Sequence, residues 1–404
     1  MLRNVVLVDG VRTGFGRIGG SLKQFSLTSL GHFALDALLQ KTQILERGGR
    51  IEGFYMGSSY YAEETHAIAR YTLLGSKIPY KYEIWTNFIE RQCGSGLEAI
   101  NMAAATIMLG NADIMIAGGA ESFSRVPAKI SMASDPYKMT PPTIYWPQKH
   151  TPLDEDNLDM ISTAENVARL MGITREECDA FACRSQARAR AAWEKGYFDE
   201  EVIPVVIPAT RKTPEIIFRK DEFMRPETTL EGLQALRSVK PGGVVTAGNA
   251  SGRNDGAAMM LLMTEEKAKE LGYEPFARFV QSGNAALDPK IMGLGPVKAS
   301  QDALKRAGLS MDDIDLWECN EAFAAQNLGV IKKLEEETGK KIDQEKWNVN
   351  GGAIAYGHPN GASGPRIAMF AMRELARRGG RYGIATTCCG GGQGVATIIE
   401  NLRR

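Results

Sequence analysis

Two thiols and one imidazole stand out in this chain because each is framed by glycine. Cys93 opens the run Cys93-Gly94-Ser95-Gly96. His358 lies in Gly351-Gly352-Ala353-Ile354-Ala355-Tyr356-Gly357-His358-Pro359. Cys388 leads Cys388-Cys389-Gly390-Gly391-Gly392. Glycine lets the main chain turn sharply and approach a ligand closely. A thiol, a base that can take its proton, and backbone N–H groups aimed at a developing oxyanion are the parts of acyl transfer through a covalent thioester. Singly, each signal is weak. Cys-Gly-Ser-Gly also suits a small buried hydrophobe in a turn, a lone histidine is more often structural, and a triple glycine also suits a phosphate-cradling loop or a tight turn. Together they reinforce one another. Cys93 follows an extended stretch and opens a helical one, so the partial positive charge of a helix N-terminus is expected to lower its pKa. Asn320-Glu321-Ala322-Phe323 follows a strand pattern ending at Trp317 and offers a side-chain amide for a water or an oxyanion. Buried Asn and Glu also serve simply to satisfy backbone groups, and the segment alone favours that. His32 and His66 read as structural, and His150 is given no role.

The elements that must position these groups occur twice in one order. Strand patterns at residues 5–8, 51–56, 112–117 and 257–263, with helical patterns at 22–39 and 97–109, make up the first part. Strand patterns at 276–281, 314–317 and 382–386, with helical patterns at 297–307 and 365–377, make up the last. We read an α/β protein of two related halves: residues 1–122 plus 244–272, and residues 273–404. Between them, residues 123–243 are rich in proline and charge, with long helical patterns only at 163–170 and 175–195. This stretch is expected to be an inserted loop domain packed on the first half.

The bulk composition excludes several classes. The 404 residues are 44% hydrophobic and 24% charged with a formal net charge of zero, which gives no footprint for nucleic acid or an anionic membrane. No apolar run approaches the ~20 residues of a membrane span, and the N-terminus lacks a secretory pattern, so a cytoplasmic location is expected. The six cysteines form no CxxC pair, so neither a structural zinc site nor a disulfide framework is expected.

These three glycine-framed segments, with Asn-Glu-Ala-Phe ahead of His358, resemble the thiolase family over essentially the whole chain. The run from Asn348 to Gly364 is very specific, and Thr246-Ala-Gly-Asn-Ala-Ser-Gly252 and Met292-Gly-Leu-Gly-Pro296 add to it. The resemblance implies a layered α-β-α-β-α architecture and a cycle of thiolytic cleavage or its reverse, a Claisen condensation. It implies that Cys93 is the acylated nucleophile, that His358 activates it, and that Cys388 moves a proton on the α-carbon of the acetyl unit. Asn320 would hold a water in one oxyanion hole, and the N–H groups of Cys93 and Gly390 would form the other. Ser251, Met160, Ala247, Phe323 and Met292 would line a pantetheine channel, with Arg225 against the adenine of coenzyme A. Coenzyme A would be a co-substrate, with no tightly bound cofactor and no metal. The assembly would be a homodimer or homotetramer, with room for an accessory subunit.

Four positions depart from the family pattern: Glu90 replaces a small polar residue, Thr387 and Cys389 replace aliphatic ones, and Asp159 stands where a histidine is common. The loop 140–156, with Tyr145, Trp146, Lys149 and His150, is also unlike its counterparts. We therefore expect a 3-oxoacyl substrate bulkier than acetoacetyl-CoA, aromatic or carrying a second carboxylate. Two other readings compete with this one. A decarboxylating ketosynthase would normally have histidine or asparagine at Cys388. An acyl-CoA-binding scaffold working with a partner protein, its nucleophile blunted by Glu90, is opposed by the joint presence of Cys93, His358, Cys388 and Asn320.

Overall fold

The computed structural model describes residues 2–131, 141–145, 149–211 and 213–404. Thr140 and Trp146, named above, lie outside the described residues. Nine strands form the main ladder: β1 (Val5–Thr13), β2 (Gly53–Gly57), β3 (Trp85–Ile89), β4 (Ile114–Ser122), β5 (Asn254–Thr264), β6 (Ala277–Ala286), β7 (Ile314–Cys319), β8 (Tyr382–Cys389) and β9 (Gln393–Asn401). Their order is β7-β8-β9-β6-β1-β5-β4-β2-β3. Outward from the junction the two halves repeat one pattern. β1 pairs antiparallel with β5, β5 antiparallel with β4, and β4 parallel with β2. Likewise β6 pairs antiparallel with β9, β9 antiparallel with β8, and β8 parallel with β7. The halves join through two antiparallel pairs, Val6 with Arg278 and Leu7 with Ala277. The first half carries β3 as an additional edge strand, and β3 leads into Cys93.

Helices α1 (Leu27–Thr42), α2 (Ser95–Met108), α3 (Met160–Met171), α4 (Arg175–Glu194), α5 (Gly295–Ala307), α6 (Ala324–Thr338) and α7 (Asn360–Arg378) complete the layers. Successive residues of a strand point to opposite faces, so each half-sheet feeds two cores. Val5 and Leu7 join the central core with Leu97 and Ile100 of α2 and Ile367 and Phe370 of α7. Val6 and Val8 instead meet Leu35 and Leu38 of α1. In the second half Ala385 faces the central core, while Ile384 faces Ala299 and Leu304 of α5. The layers thus run helix, sheet, helix, sheet, helix, with α2 and α7 in the middle.

The central contact is tight because it is made of glycine. A Cβ at Gly96 or Gly119 would come within 2.0 or 2.1 Å of the Gly361 carbonyl oxygen. α7 begins at Asn360, earlier than the expected 365, with Pro359 at the N-cap. The sequence favours Pro365 as a first helical residue, but it stands inside the helix. The carbonyl that its missing N–H leaves unpaired belongs to Gly361, the group pressed against Gly96 and Gly119.

The stretch 123–243 does not pack wholly on the first half. Val167, Ala168 and Phe181 of α3 and α4 share a core with Val330 and Leu334 of α6, in the second half. Only its short extended segments, through Val205 and Phe218, join the outer core of the first half. The apolar stripe of α3 decides this, since it is the face that must be covered.

Candidate active site

Cys93 sits in the 3-10 turn Gln92–Gly94, between β3 and α2, rather than within the helix itself. Gln92 has a left-handed φ of 49°, a conformation that a side chain disfavours and that surrounding bonds must hold. Ser95 supplies them: its Oγ accepts from Arg91 N at 2.8 Å and donates to Gln92 O at 2.7 Å. Cys93 is 8% exposed, and its own N–H and that of Gly390 lie near enough to its sulfur to favour the thiolate.

His358 is held by three partners. Its N–H donates to Asn254 Oδ1 at 3.0 Å. Gly357, at φ 95°, makes this approach feasible, because a Cβ there would lie 2.3 Å from the Asn254 amide. His358 Nδ1 lies 2.6 Å from Ser363 Oγ, and Ser363 Oγ donates its proton to Pro359 O at 3.0 Å. With that proton committed, Ser363 accepts from Nδ1–H. Nε2 is then left with a lone pair, the form in which an imidazole acts as a base. Asn320 Nδ2 donates to Nε2 at 3.3 Å, and Arg366 Nη2 at 3.4 Å from Asn320 Oδ1 orients that amide. Its neighbour Glu321 turns the other way, bonding Ser185 Oγ at 2.6 Å and Asn348 Nδ2 at 3.0 Å. The sequence left both roles open for this pair; the structure gives the amide to the site and the carboxylate to the scaffold.

Strand alternation separates the adjacent thiols of β8. Cys388 faces Met292 and Ala322, with Met160 and Phe323 beside them. Cys389 faces the central core beneath Gly94, where a Cβ would lie 2.5 Å from its sulfur. The loop Thr246–Gly252 joins the Asn-Glu-Ala-Phe segment through Ser251 N to Ala322 O at 3.0 Å and Ala324 N to Asn249 O at 2.9 Å. Loops of both halves therefore meet around one cavity of about 500 Å³. Its wall includes Cys93, His358, Gly390, Ser251, Ala247, Met160, Met292 and Phe323, all singled out from sequence. Cys388 and Asn320 are fully buried behind that wall, against Met292 and His358 respectively. Arg225 lies in a neighbouring concavity of about 300 Å³ with Phe223 and Thr228, which shares Ala247 with the first.

Some expectations are corrected. Burial, then the charge of Glu121, pushes the Cys93 thiol up to about 12 despite the two N–H groups, and Glu90 adds to the rise. Desolvation outweighs the short turn's dipole. Burial, helped by Arg366, lowers His358 from 6.5 to about 3. The resting pair is thus a neutral thiol and a neutral imidazole. Inactivation by iodoacetamide is expected to be slow at pH 7 and to keep climbing through pH 9, because the thiolate fraction grows until pH passes the raised pKa; a plateau near neutrality would contradict this.

Of the unusual loop, Tyr145 is exposed and Lys149 pairs with Asp154, so neither reaches the cavity. His150 does. Its Nδ1 would lie 3.2 Å from a Cβ at Gly390, and its N–H donates to Asn157 Oδ1 at 2.9 Å. Tyr60, Gln92 and Arg253 also join the wall unannounced. For Arg253 the available signal was a charge inside a glycine-rich loop; for His150 it was only the unusual loop 140–156, since an irregular loop has no period to show which of its residues turns inward. Asp159 caps α3 by accepting from Ser162 N and pairs with Lys240 at 2.9 Å. Glu90 accepts from Gln92 N at 2.9 Å. Among the described residues no group of three or more His, Cys, Asp or Glu could hold a metal, and no helix is long and apolar enough to cross a membrane.

Comparison with known proteins agrees with this architecture. Residues 5–266 match the thiolase N-terminal domain and residues 273–401 the thiolase C-terminal domain. The chain is 43% identical to an acetyl-CoA acetyltransferase of Thiocystis violacea, covering 100% of both. It is 42% identical to the 3-oxoadipyl-CoA/3-oxo-5,6-dehydrosuberyl-CoA thiolase of Escherichia coli K12, covering 99% of this chain and 100% of that one. Crystal structures of human mitochondrial 3-ketoacyl-CoA thiolase superpose with a TM-score of 0.89 at 40% identity over 99% of both chains, and, in complex with CoA, with a TM-score of 0.88 over 99% and 98%. Two glycine-lined loops from each of two like halves, closing on one thiol, are thus explained by common descent: the chain belongs to the thiolase family of acyltransferases.

Proposed function

We propose that the protein cleaves a 3-oxoacyl-CoA with CoA, through an acyl-Cys93 intermediate, and that its acyl group is bulkier than acetoacetyl. Cys93 Sγ attacks the 3-oxo carbon while His358 Nε2 takes the thiol proton, so no free thiolate is needed at rest. The oxygen at that carbon is met by the N–H groups of Cys93 and Gly390. The C2–C3 bond then breaks, its electron pair forming the enolate of acetyl-CoA. The enolate oxygen is received at His358 and at a water held by Asn320, and Cys388 delivers a proton to the carbon. CoA thiol next gives its proton to the Cys388 thiolate and attacks the acyl-Cys93 carbonyl, and Cys93 leaves as thiol with the proton that His358 took in the first step. Ser251, Met160, Ala247, Phe323 and Met292 flank the pantetheine arm, and Arg225, in the adjoining concavity, faces the adenine end. No metal or resident cofactor takes part in any of these steps.

The observation that carries this reading is the meeting of the Cys93 sulfur, the Gly390 N–H and the unprotonated Nε2 of His358 at one cavity. The larger substrate is supported by a wall that adds Tyr60, Gln92 and His150, side chains with no part in the steps above. Steady-state kinetics over a panel of 3-oxoacyl-CoA esters test it: kcat/KM should be greatest for a longer ester, and a maximum at acetoacetyl-CoA would remove the substrate claim. The open edge of β3 suits the expected homodimer.

A further inference from the structure

Among the described residues, the catalytic cavity carries a cation with nothing to neutralise it. Arg253 is the one lysine or arginine among the described residues of the wall. Its backbone bridges to His358, its carbonyl accepts from Ile18 N at 3.0 Å, and its charge reaches the phenol of Tyr60 on the same wall. Among the described residues its guanidinium meets no carboxylate, carbonyl or aromatic ring. Cations on neighbouring segments are matched: Arg91 with Glu98 at 3.0 Å, Lys290 with Asp156 at 2.8 Å, and Lys240 with Asp159 at 2.9 Å. The last pair matters, because Asp159 is the one carboxylate of the described wall and it is already taken. What remains is a net positive, concave site with an amide (Gln92) and an imidazole (His150) beside it.

We infer that Arg253 selects the substrate: it receives a carboxylate borne at the far end of the acyl chain, so that the preferred ester is a 3-oxoacyl-CoA with a second acid group. This rests on the thiolytic reading above. Guanidinium and carboxylate match in a two-pronged, charge-assisted hydrogen bond, and Arg253, an exposed residue of the wall, has its charge free to meet one. A second anion could in principle come from the phosphates of CoA. Those phosphates, however, stand at the opposite end of the pantetheine arm from the thioester. Arg253 adjoins His358, where the thioester and the 3-oxo carbon must lie, so the acyl side is the end within its reach.

The test compares two esters of equal length, 3-oxoadipyl-CoA and neutral 3-oxohexanoyl-CoA, on the full-length enzyme, Arg253→Leu and Arg253→Lys. Thermal melting of each variant checks that it folds. The wild type should favour the carboxylate ester in kcat/KM. That ratio should fall ~10–100-fold in Arg253→Leu, the range of a charged hydrogen bond, and recover in part in Arg253→Lys. High salt should erode the wild-type preference. A wild-type ratio near one, or a ratio unmoved by Arg253→Leu, overturns the assignment. So does a rise in KM for CoA shared equally by both esters, which would give the cation to the phosphates. Turnover of the neutral ester alone sinks this inference and spares the thiolytic reading; no acyl transfer from any ester sinks both.

Discussion

Cys93→Ser should lose turnover by ~10⁴-fold or more, the scale seen when a nucleophile is removed from a unit that acts together, and should lose the acyl adduct seen by intact-protein mass spectrometry. The variant keeps the fold, because serine fills the same turn and its neighbours Gln92 and Ser95 keep their bonds. Cys388→Ser should behave differently. Its thiol is placed behind Met292 and does not carry the acyl group in this scheme, so the adduct on Cys93 should still form from an acyl-CoA donor. Exchange of the α-protons of acetyl-CoA with solvent should drop by ~10²–10⁴-fold, the range for a general acid or base. Two thiols with opposite signatures would separate nucleophile from proton carrier. The competing picture, an acyl-CoA-binding scaffold with its thiol blunted by Glu90 and by burial, expects no adduct on the native protein at any pH.

Asp221→Ala should cost ~3–5 kcal/mol of stability, because it removes the two-pronged partner of a buried guanidinium and leaves it Glu201 alone. Arg12 is fully buried and pairs with Asp221 at 2.7 Å and Glu201 at 2.8 Å. Asp221 also accepts from Phe15 N at 2.8 Å, so its loss leaves an N–H unsatisfied as well. The cluster carries function too. The Arg12 guanidinium lies 5.9 Å from the ring of Tyr356, the residue before Gly357 and His358, so a loosened Arg12 would reach the base through one packed ring. Urea unfolding followed by tryptophan fluorescence checks the size. A shift under about 1 kcal/mol would mean that water replaces the carboxylate at no great penalty. Replacing Arg12, Asp221 and Glu201 together by apolar residues of similar volume should cost much less than the single change.

Much of this was legible in the residues. Most strands lie where β-branched and aliphatic runs end in glycine, and most long helices within a few residues of their expected bounds, but β3, β9 and α6 carried no expectation. The misses share a cause. β1 runs on to Thr13, past the expected end at residue 8, because Asp9 and Arg12 look like surface residues until their partners are known. α7 begins before Pro365 because the freed carbonyl is accommodated by glycines of other segments. The insertion divides between both halves because its apolar faces, not its place in the chain, choose their cover. The Cys93 pKa moves opposite to the helix-terminus expectation, since burial cannot be read from the neighbours of a residue in sequence.

By itself, then, the sequence determined the chemistry on offer: thiols and an imidazole in glycine turns, duplicated strand and helix patterns, and motifs specific enough to name a family. Those are local properties, fixed by which backbone conformations a few adjacent residues allow. Only the tertiary structure decided which of two adjacent thiols faces the site, that Arg366 holds the Asn320 amide toward His358, and which loop residues share the cavity with Cys93. Each of these depends on groups scores to hundreds of residues away, brought within hydrogen-bond reach by sheet register and by the close packing of the central helices, and no local rule encodes such a distance.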